Sequence, residues 1–110
     1  MKGTNLGEFE ELVLLAVGIL NDEAYSIAIT KEINRITKRK VIFPVVHSAL
    51  NRLEEKGFVE SKLGGATKER GGRSKRLFTI SAGGKKALLR VKAQRDELWS
   101  LIPKVVFKNA

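Results

Sequence analysis

Glu69-Arg70-Gly71-Gly72-Arg73-Ser74-Lys75-Arg76-Leu77-Phe78-Thr79-Ile80 is the stretch on which the fold turns. Five bases lie between Lys68 and Arg76 against the single acid Glu69, and they crowd a glycine pair that lets the backbone turn sharply. The residues that follow alternate in polarity, as a half-buried strand does. Phe58 to Leu63 alternates in the same way before Gly64. Two strands joined across Gly64 to Ser74 make a β-hairpin with a cationic tip.

Working back from the hairpin, Pro44 suits the first turn of a helix, where its missing N–H costs nothing. Val46, Leu50 and Leu53 supply the buried stripe of that helix and Gly57 ends it. A short helix feeding a basic hairpin is the outline of a winged helix-turn-helix. Further upstream, Leu6, Phe9, Leu12, Val13, Ala16, Val17 and Leu20 recur at helical steps. Leu14, Leu15 and Ile19 widen that stripe, so this helix needs cover on more than one side. Asn5 is its expected cap and Glu8 suits its first turn. After a turn at Asn21-Asp22-Glu23, Ser26 is the expected cap of a second helix with Ile29, Ile33 and Ile36 buried. Val41-Ile42-Phe43 is expected to be extended. Beyond the hairpin, Ser81 caps a fourth helix that runs through Leu88, Val91, Leu98 and Ile102 to Pro103. Lys104 to Ala110 is expected to lack structure. The predicted class is α+β, mostly α: three N-terminal helices, a two-stranded wing and one C-terminal helix in a single domain spanning residues 1–110.

Composition narrows the chemistry. The chain has 110 residues, no cysteine and one histidine, which excludes disulfides and thiolate metal sites. No metal and no cofactor is expected. With one histidine and two aspartates, Asp22 and Asp96, the ingredients of a nucleophile–base–orienter set are scant, and an enzyme is not expected. The apolar run Leu12 to Leu20 is shorter than the roughly 20 residues a bilayer demands. Residues 1–11 carry no signal-peptide pattern, so no membrane contact and a cytoplasmic location are expected. The formal net charge is +9 and the bases are clustered: residues 1–30 hold only Lys2, whereas Lys31 to Lys40 and Lys62 to Arg76 hold most of the rest. Clustered positive charge fits a polyanion, nucleic acid before an anionic membrane.

Major-groove reading uses amide, hydroxyl, guanidinium and methyl groups. On the third helix Val45, His47, Ser48, Asn51 and Arg52 are the available set. Val45 suits a thymine methyl, and Asn51 an adenine or a phosphate. For His47 the plainer account is a polar surface group. Arg70, Arg73 and Lys75 suit phosphates or a narrow minor groove, and Lys38, Arg39 and Lys40 a backbone clamp. A solvated loop and a hydrated helix end are the plainer accounts of these two clusters. Trp99 suits packing in a core or interface, or stacking on a flat aromatic ligand.

Four stretches resemble the PadR family of bacterial transcriptional regulators: Leu6-Gly7-Glu8-Phe9-Glu10-Glu11-Leu12-Val13-Leu14-Leu15-Ala16; Ala24-Tyr25-Ser26-Ile27 with Glu32-Ile33; Leu50-Asn51-Arg52-Leu53-Glu54-Glu55-Lys56-Gly57-Phe58-Val59; and Glu69 to Arg76 with Thr79-Ile80-Ser81-Ala82-Gly83-Gly84 behind it. The resemblance implies a winged helix-turn-helix region over 5–80 and a C-terminal dimerisation helix over 81–103. It implies a homodimer on double-stranded, pseudo-palindromic DNA, usually as a repressor. Leu12, Leu15, Ile19, Leu88, Val91, Arg95, Leu98 and Ile102 are then the candidate dimer interface. Some members respond to phenolic or drug-like compounds, which makes Trp99 the candidate effector contact. The chain departs from many relatives at Val46-His47, where they carry Val-Tyr. A non-specific architectural DNA-binding protein and a winged-helix module for protein partners stay open as alternatives.

Overall fold

A computed structural model describes residues 5–63 and 75–108. The first helix, α1, spans Glu8–Leu20. Its cap is not Asn5: Gly7 holds the cap position, and the Glu10 carboxylate accepts the Gly7 N–H at 3.0 Å. Val13, Leu14, Ala16 and Val17 are buried, while Leu15 and Ile19 face out. A short 3-10 turn, Asn21–Glu23, leads to α2, Ser26–Thr37. Tyr25, not Ser26, is the cap residue of α2, and it offers no side-chain hydrogen bond. Tyr25 forms a β-bridge to Leu77 instead, beside the bond from Phe78 N to Ala24 O. Ile29 and Ile33 are buried as expected, but Ile36 is 48% exposed. The last turn of α2 runs out beyond the core, and Thr37 ties back to the Ile33 carbonyl there.

α3 spans Phe43–Glu55, so Phe43 is helical and not extended as expected. The Asn34 side chain holds the connection before it, donating to Val41 O at 3.0 Å and accepting from Val41 N at 2.9 Å. That pair fixes the turn between α2 and α3. Val46, Ala49, Leu50 and Leu53 are buried. At the far end Gly57 takes φ +80°, a left-handed conformation that suits glycine, and Phe58 N returns to Leu53 O.

Strands β1, Val59–Leu63, and β2, Arg76–Ile80, pair antiparallel with Val59 opposite Ile80 and Leu63 opposite Arg76. Both are one residue shorter than the alternation suggests: Phe58 and Lys75 lie outside them. Phe78 is fully buried and closes the core beneath α1 and α2. The tip of the hairpin, with Arg70 and Arg73, lies outside the described residues.

α4 spans Ala82–Leu101, with Ser81 Oγ accepting the Gly84 N–H as its cap. Only Gly84 and Ala87 of this helix are buried. Most of it projects past the core, and the radius of gyration is 16.5 Å against about 13 Å for a compact chain of this length. Ile102 lies just past its end. The tail is not structureless throughout: Lys104–Phe107 forms a 3-10 turn, and Phe107 stacks on Trp99 with centroids 5.7 Å apart. A second aromatic ring so close to Trp99 gives that turn something to fold against.

Candidate nucleic-acid interface

The buried stripe of α3 dictates what its opposite side presents. At 100° per residue, Pro44, Ser48, Asn51 and Glu55 centre the outward ridge, and all four are exposed. Val45 and Arg52 flank it on the side of α1. His47 flanks it on the wing side, half-buried and stacked on Phe43 at 5.6 Å. The sequence-derived set is therefore divided: Ser48 and Asn51 share the ridge one turn apart, Val45 lies beside them, and His47 faces elsewhere. The His47 Nδ1 atom is buried without a hydrogen-bond partner among the described residues. Only the Nε2 edge of the ring is left for an outside contact.

Arg52 is engaged within the fold. Its Nε donates to Glu10 Oε2 at 3.0 Å, although its side chain is 49% exposed. Lys56 Nζ reaches Glu10 Oε1 at 2.7 Å. Arg39, between Lys38 and Lys40, is likewise drawn back to Glu8 at 2.7 Å. Lys38 and Lys40 are exposed, and Lys38 closes α2 in the left-handed region at φ 60°.

A depression of about 420 Å³ lies between the N-terminal turns of α2 and α3 and the base of the wing. Tyr25, Lys31, Phe43, His47, Lys75 and Arg76 line it. Lys75 Nζ sits 5.0 Å over the Tyr25 ring, and Arg76 leans on Ser61 Oγ at 2.8 Å. Neither helix has a capping side chain or an acid in its first turn. The positive ends of both helix dipoles are thus uncompensated and add to the lysine and arginine charge. Glu54 and Glu55 sit at the other end of α3 and carry the opposite charge. Positive potential is concentrated at the N-terminal half of α3 and the wing base. Sequence reading named His47 and Lys75 as site residues but not Tyr25, Lys31, Phe43 or Arg76. The available signals were the cations Lys31 and Arg76; nothing in the spacing announces the bridge from Tyr25 to Leu77.

Glu10 is the buried acid behind this surface, 6% exposed. Burial alone raises its pKa, but the hydrogen bonds from Lys56, the Gly7 N–H and Arg52 outweigh that and hold it below the ordinary carboxylate value. A depressed folded pKa means the stabilisation is present above the unfolded value, near 4.5, and lost as pH falls through the folded one. Wild type and Glu10→Gln should therefore differ in denaturant midpoint by a constant amount from neutral pH down to about pH 5.5. The difference should shrink below pH 4.5.

A second groove of about 340 Å³ separates α1 from α4, lined by Glu11, Leu15, Leu88, Leu89, Lys92, Arg95, Asp96 and Trp99. Arg95, a cation on an otherwise apolar stripe, finds its partner in Glu11 at 2.7 Å. Leu88 packs against the chain's own core and Leu12 and Val91 are half-buried. Leu98 is 65% and Trp99 64% exposed. Sequence reading missed Leu89, which lines this groove, and the exposed apolar residues Leu101, Val105 and Val106. Among the described residues no group of three or more His, Cys, Asp or Glu comes together, and no helix is long and apolar enough to cross a membrane.

No family model and no curated protein matches the sequence. Solved structures do match. A PadR-like transcriptional regulator from Bacillus cereus superposes with a TM-score of 0.72 at 14% identity, over 90% of this chain and 91% of its own. A PadR family regulator from Eggerthella lenta gives 0.68 at 22% identity, over 91% and 87%. One from Clostridium difficile gives 0.62 at 25% identity, over 82% and 92%. Three N-terminal helices, an antiparallel hairpin and a long C-terminal helix thus give this chain the winged helix-turn-helix fold of PadR-family transcriptional regulators, matched over most of its length.

Proposed function

We propose that the chain is a cytoplasmic, homodimeric, sequence-specific DNA-binding regulator of the PadR type that represses by occupying its operator. The observation that carries this reading is the surface of α3. An exposed ridge with Ser48 and Asn51 stands beside two uncapped helix N-termini and the cations Lys31, Lys75 and Arg76. The ridge supplies hydroxyl and amide groups for base edges, and the cations supply phosphate contacts. Two copies related by a two-fold axis would meet half-sites about one helical turn apart. Phosphate contacts also come from Lys38 and Lys40, and from Arg70 and Arg73 at the wing tip. The groove beside Trp99, with Leu15, Leu88 and Leu89, is the place for a flat aromatic effector.

The test is fluorescence anisotropy with a duplex selected from a random pool. Affinity should fall with salt at a log–log slope of several units, since each neutralised phosphate contributes about 0.9. Asn51→Ala should lower the preference for the selected duplex by about 1–3 kcal/mol. Lys75→Ala should weaken all duplexes together and reduce the salt slope by about 1. A flat salt response would remove the phosphate contacts, and an architectural DNA-binding protein would show no preferred duplex at all.

A further inference from the structure

The acids opening α1 are not used by the reading above. Glu8, Glu10 and Glu11 each meet cations from a different part of the fold: Arg39 before α3, Arg52 on α3 with Lys56 at its C-cap, and Arg95 on α4. An exposed acid in a first helical turn serves the helix dipole adequately. Glu10 instead buries its carboxylate, which carries a desolvation cost that dipole stabilisation does not require. The geometry of its partners explains what the burial achieves. Oε1 takes the Gly7 N–H at 3.0 Å and Lys56 Nζ at 2.7 Å, and Oε2 takes Arg52 Nε at 3.0 Å. Lys56 Nζ also holds Asn5 O at 2.7 Å. Arg52 and Lys56 stand four residues apart, so one carboxylate grips two successive turns on one side of α3.

Apolar packing of Val46, Ala49, Leu50 and Leu53 is non-directional and limits rotation about the helix axis only loosely. A turn of about 30° carries a side-chain tip about 3 Å around a helix of 10–12 Å diameter, one hydrogen-bond length. Reading bases from Ser48 and Asn51 demands tighter control. We propose that Glu10 is a positioning residue for base reading: its grip on Arg52 and Lys56 sets the rotation of α3, and with it the way Ser48 and Asn51 meet base edges. Arg52 is accordingly a handle for the helix more than a reader of DNA. This rests on α3 being the reading element.

The experiment uses the full chain, the selected duplex and a scrambled duplex of equal length. The readout is the ratio of the two affinities, taken well below the melting temperature of each variant. Glu10→Gln should lower that ratio about tenfold, the scale of one good base contact. The lost negative charge raises affinity for both duplexes and cancels in the ratio. Lys56→Gln removes one arm only, keeps the carboxylate paired to Arg52, and should give a smaller fall; it serves if Glu10→Gln fails to fold. A lowered melting temperature with an unchanged ratio would mean that Glu10 merely stabilises, and would overturn the proposal. A wild-type chain that prefers neither duplex would overturn the reading of α3 itself, and the role of Glu10 with it.

Discussion

Gly84→Ala should destabilise the chain by about 2 kcal/mol, against the usual direction of a glycine-to-alanine change inside a helix. Helix propensity favours alanine by about 1 kcal/mol. Packing opposes it more strongly. A Cβ at Gly84 would lie 2.1 Å from the Phe58 carbonyl oxygen and 2.8 Å from Ile80 Cγ2. The first obstacle is backbone, which cannot rotate away. That same oxygen accepts the Ser81 N–H at 3.1 Å, so the turn after α3 and the cap of α4 are locked to each other at this point. Relief requires α4 to lift off the Phe58 backbone and β2, an overpacking cost of about 3 kcal/mol. Thermal unfolding should move down by about 10 °C. Gly83→Ala is the comparison. Its Cβ would stand 3.1 Å from Gly57 O, a contact that a shift of a few tenths of an ångström relieves, so the propensity gain should roughly offset it. Equal melting temperatures for Gly84→Ala and wild type would contradict the close docking of α4. The close approach at Gly84 thereby helps to set the angle at which α4 leaves the turn after α3.

How far this was readable beforehand depends on the range of each interaction. α3 was legible because its signals are local: Pro44 at the start, a stripe at helical spacing and Gly57 at the end all agree. β2 was legible from alternation over five residues, and the Ser81 cap of α4 from a bond that spans three. The failures are of three kinds. At Asn5, Ser26 and Phe43 a local signal was outvoted by a neighbour: Glu10 caps α1 through Gly7, and Tyr25 is held in the cap position by its bridge to Leu77. Ile36 was misplaced because periodicity states which face a residue is on, not where the core ends. At Arg39, Arg52 and Arg95 a charge that looked free or awkward has a partner 31, 42 or 84 residues away in the chain. No spacing rule reaches that far. The candidate site is therefore readable as a set of residue types, whereas its division into readers, clamps and handles requires the fold.

Leu98→Asp should convert the proposed dimer into monomers and remove most of the proposed operator affinity. Leu98, Trp99 and Leu101 on α4 are 65%, 64% and 70% exposed, and Leu15 and Ile19 on α1 are 43% and 58% exposed. So many large apolar side chains exposed on α1 and α4, with Leu15 and Trp99 lining one groove, mark an interaction surface in a water-exposed chain. Covering it with the same face of a second copy would remove about 1.5–3 kcal/mol of exposure cost per large side chain. The symmetry counts each substitution twice. Two aspartates would forfeit two leucine contributions and bury two charges, a loss of more than about 5 kcal/mol, or over a thousandfold in dimer dissociation. Leu98 makes no part of the buried core, so circular dichroism should keep its helical signal while sedimentation falls from twice the chain mass to once. A monomer engages one half-site where the dimer engages two, and its affinity drops accordingly while the contribution of each α3 is unchanged. Retention of a dimer by Leu98→Asp would place the subunit contact on another face. It would also leave the groove beside Trp99 open to solvent, with no second copy to complete a site for an effector there.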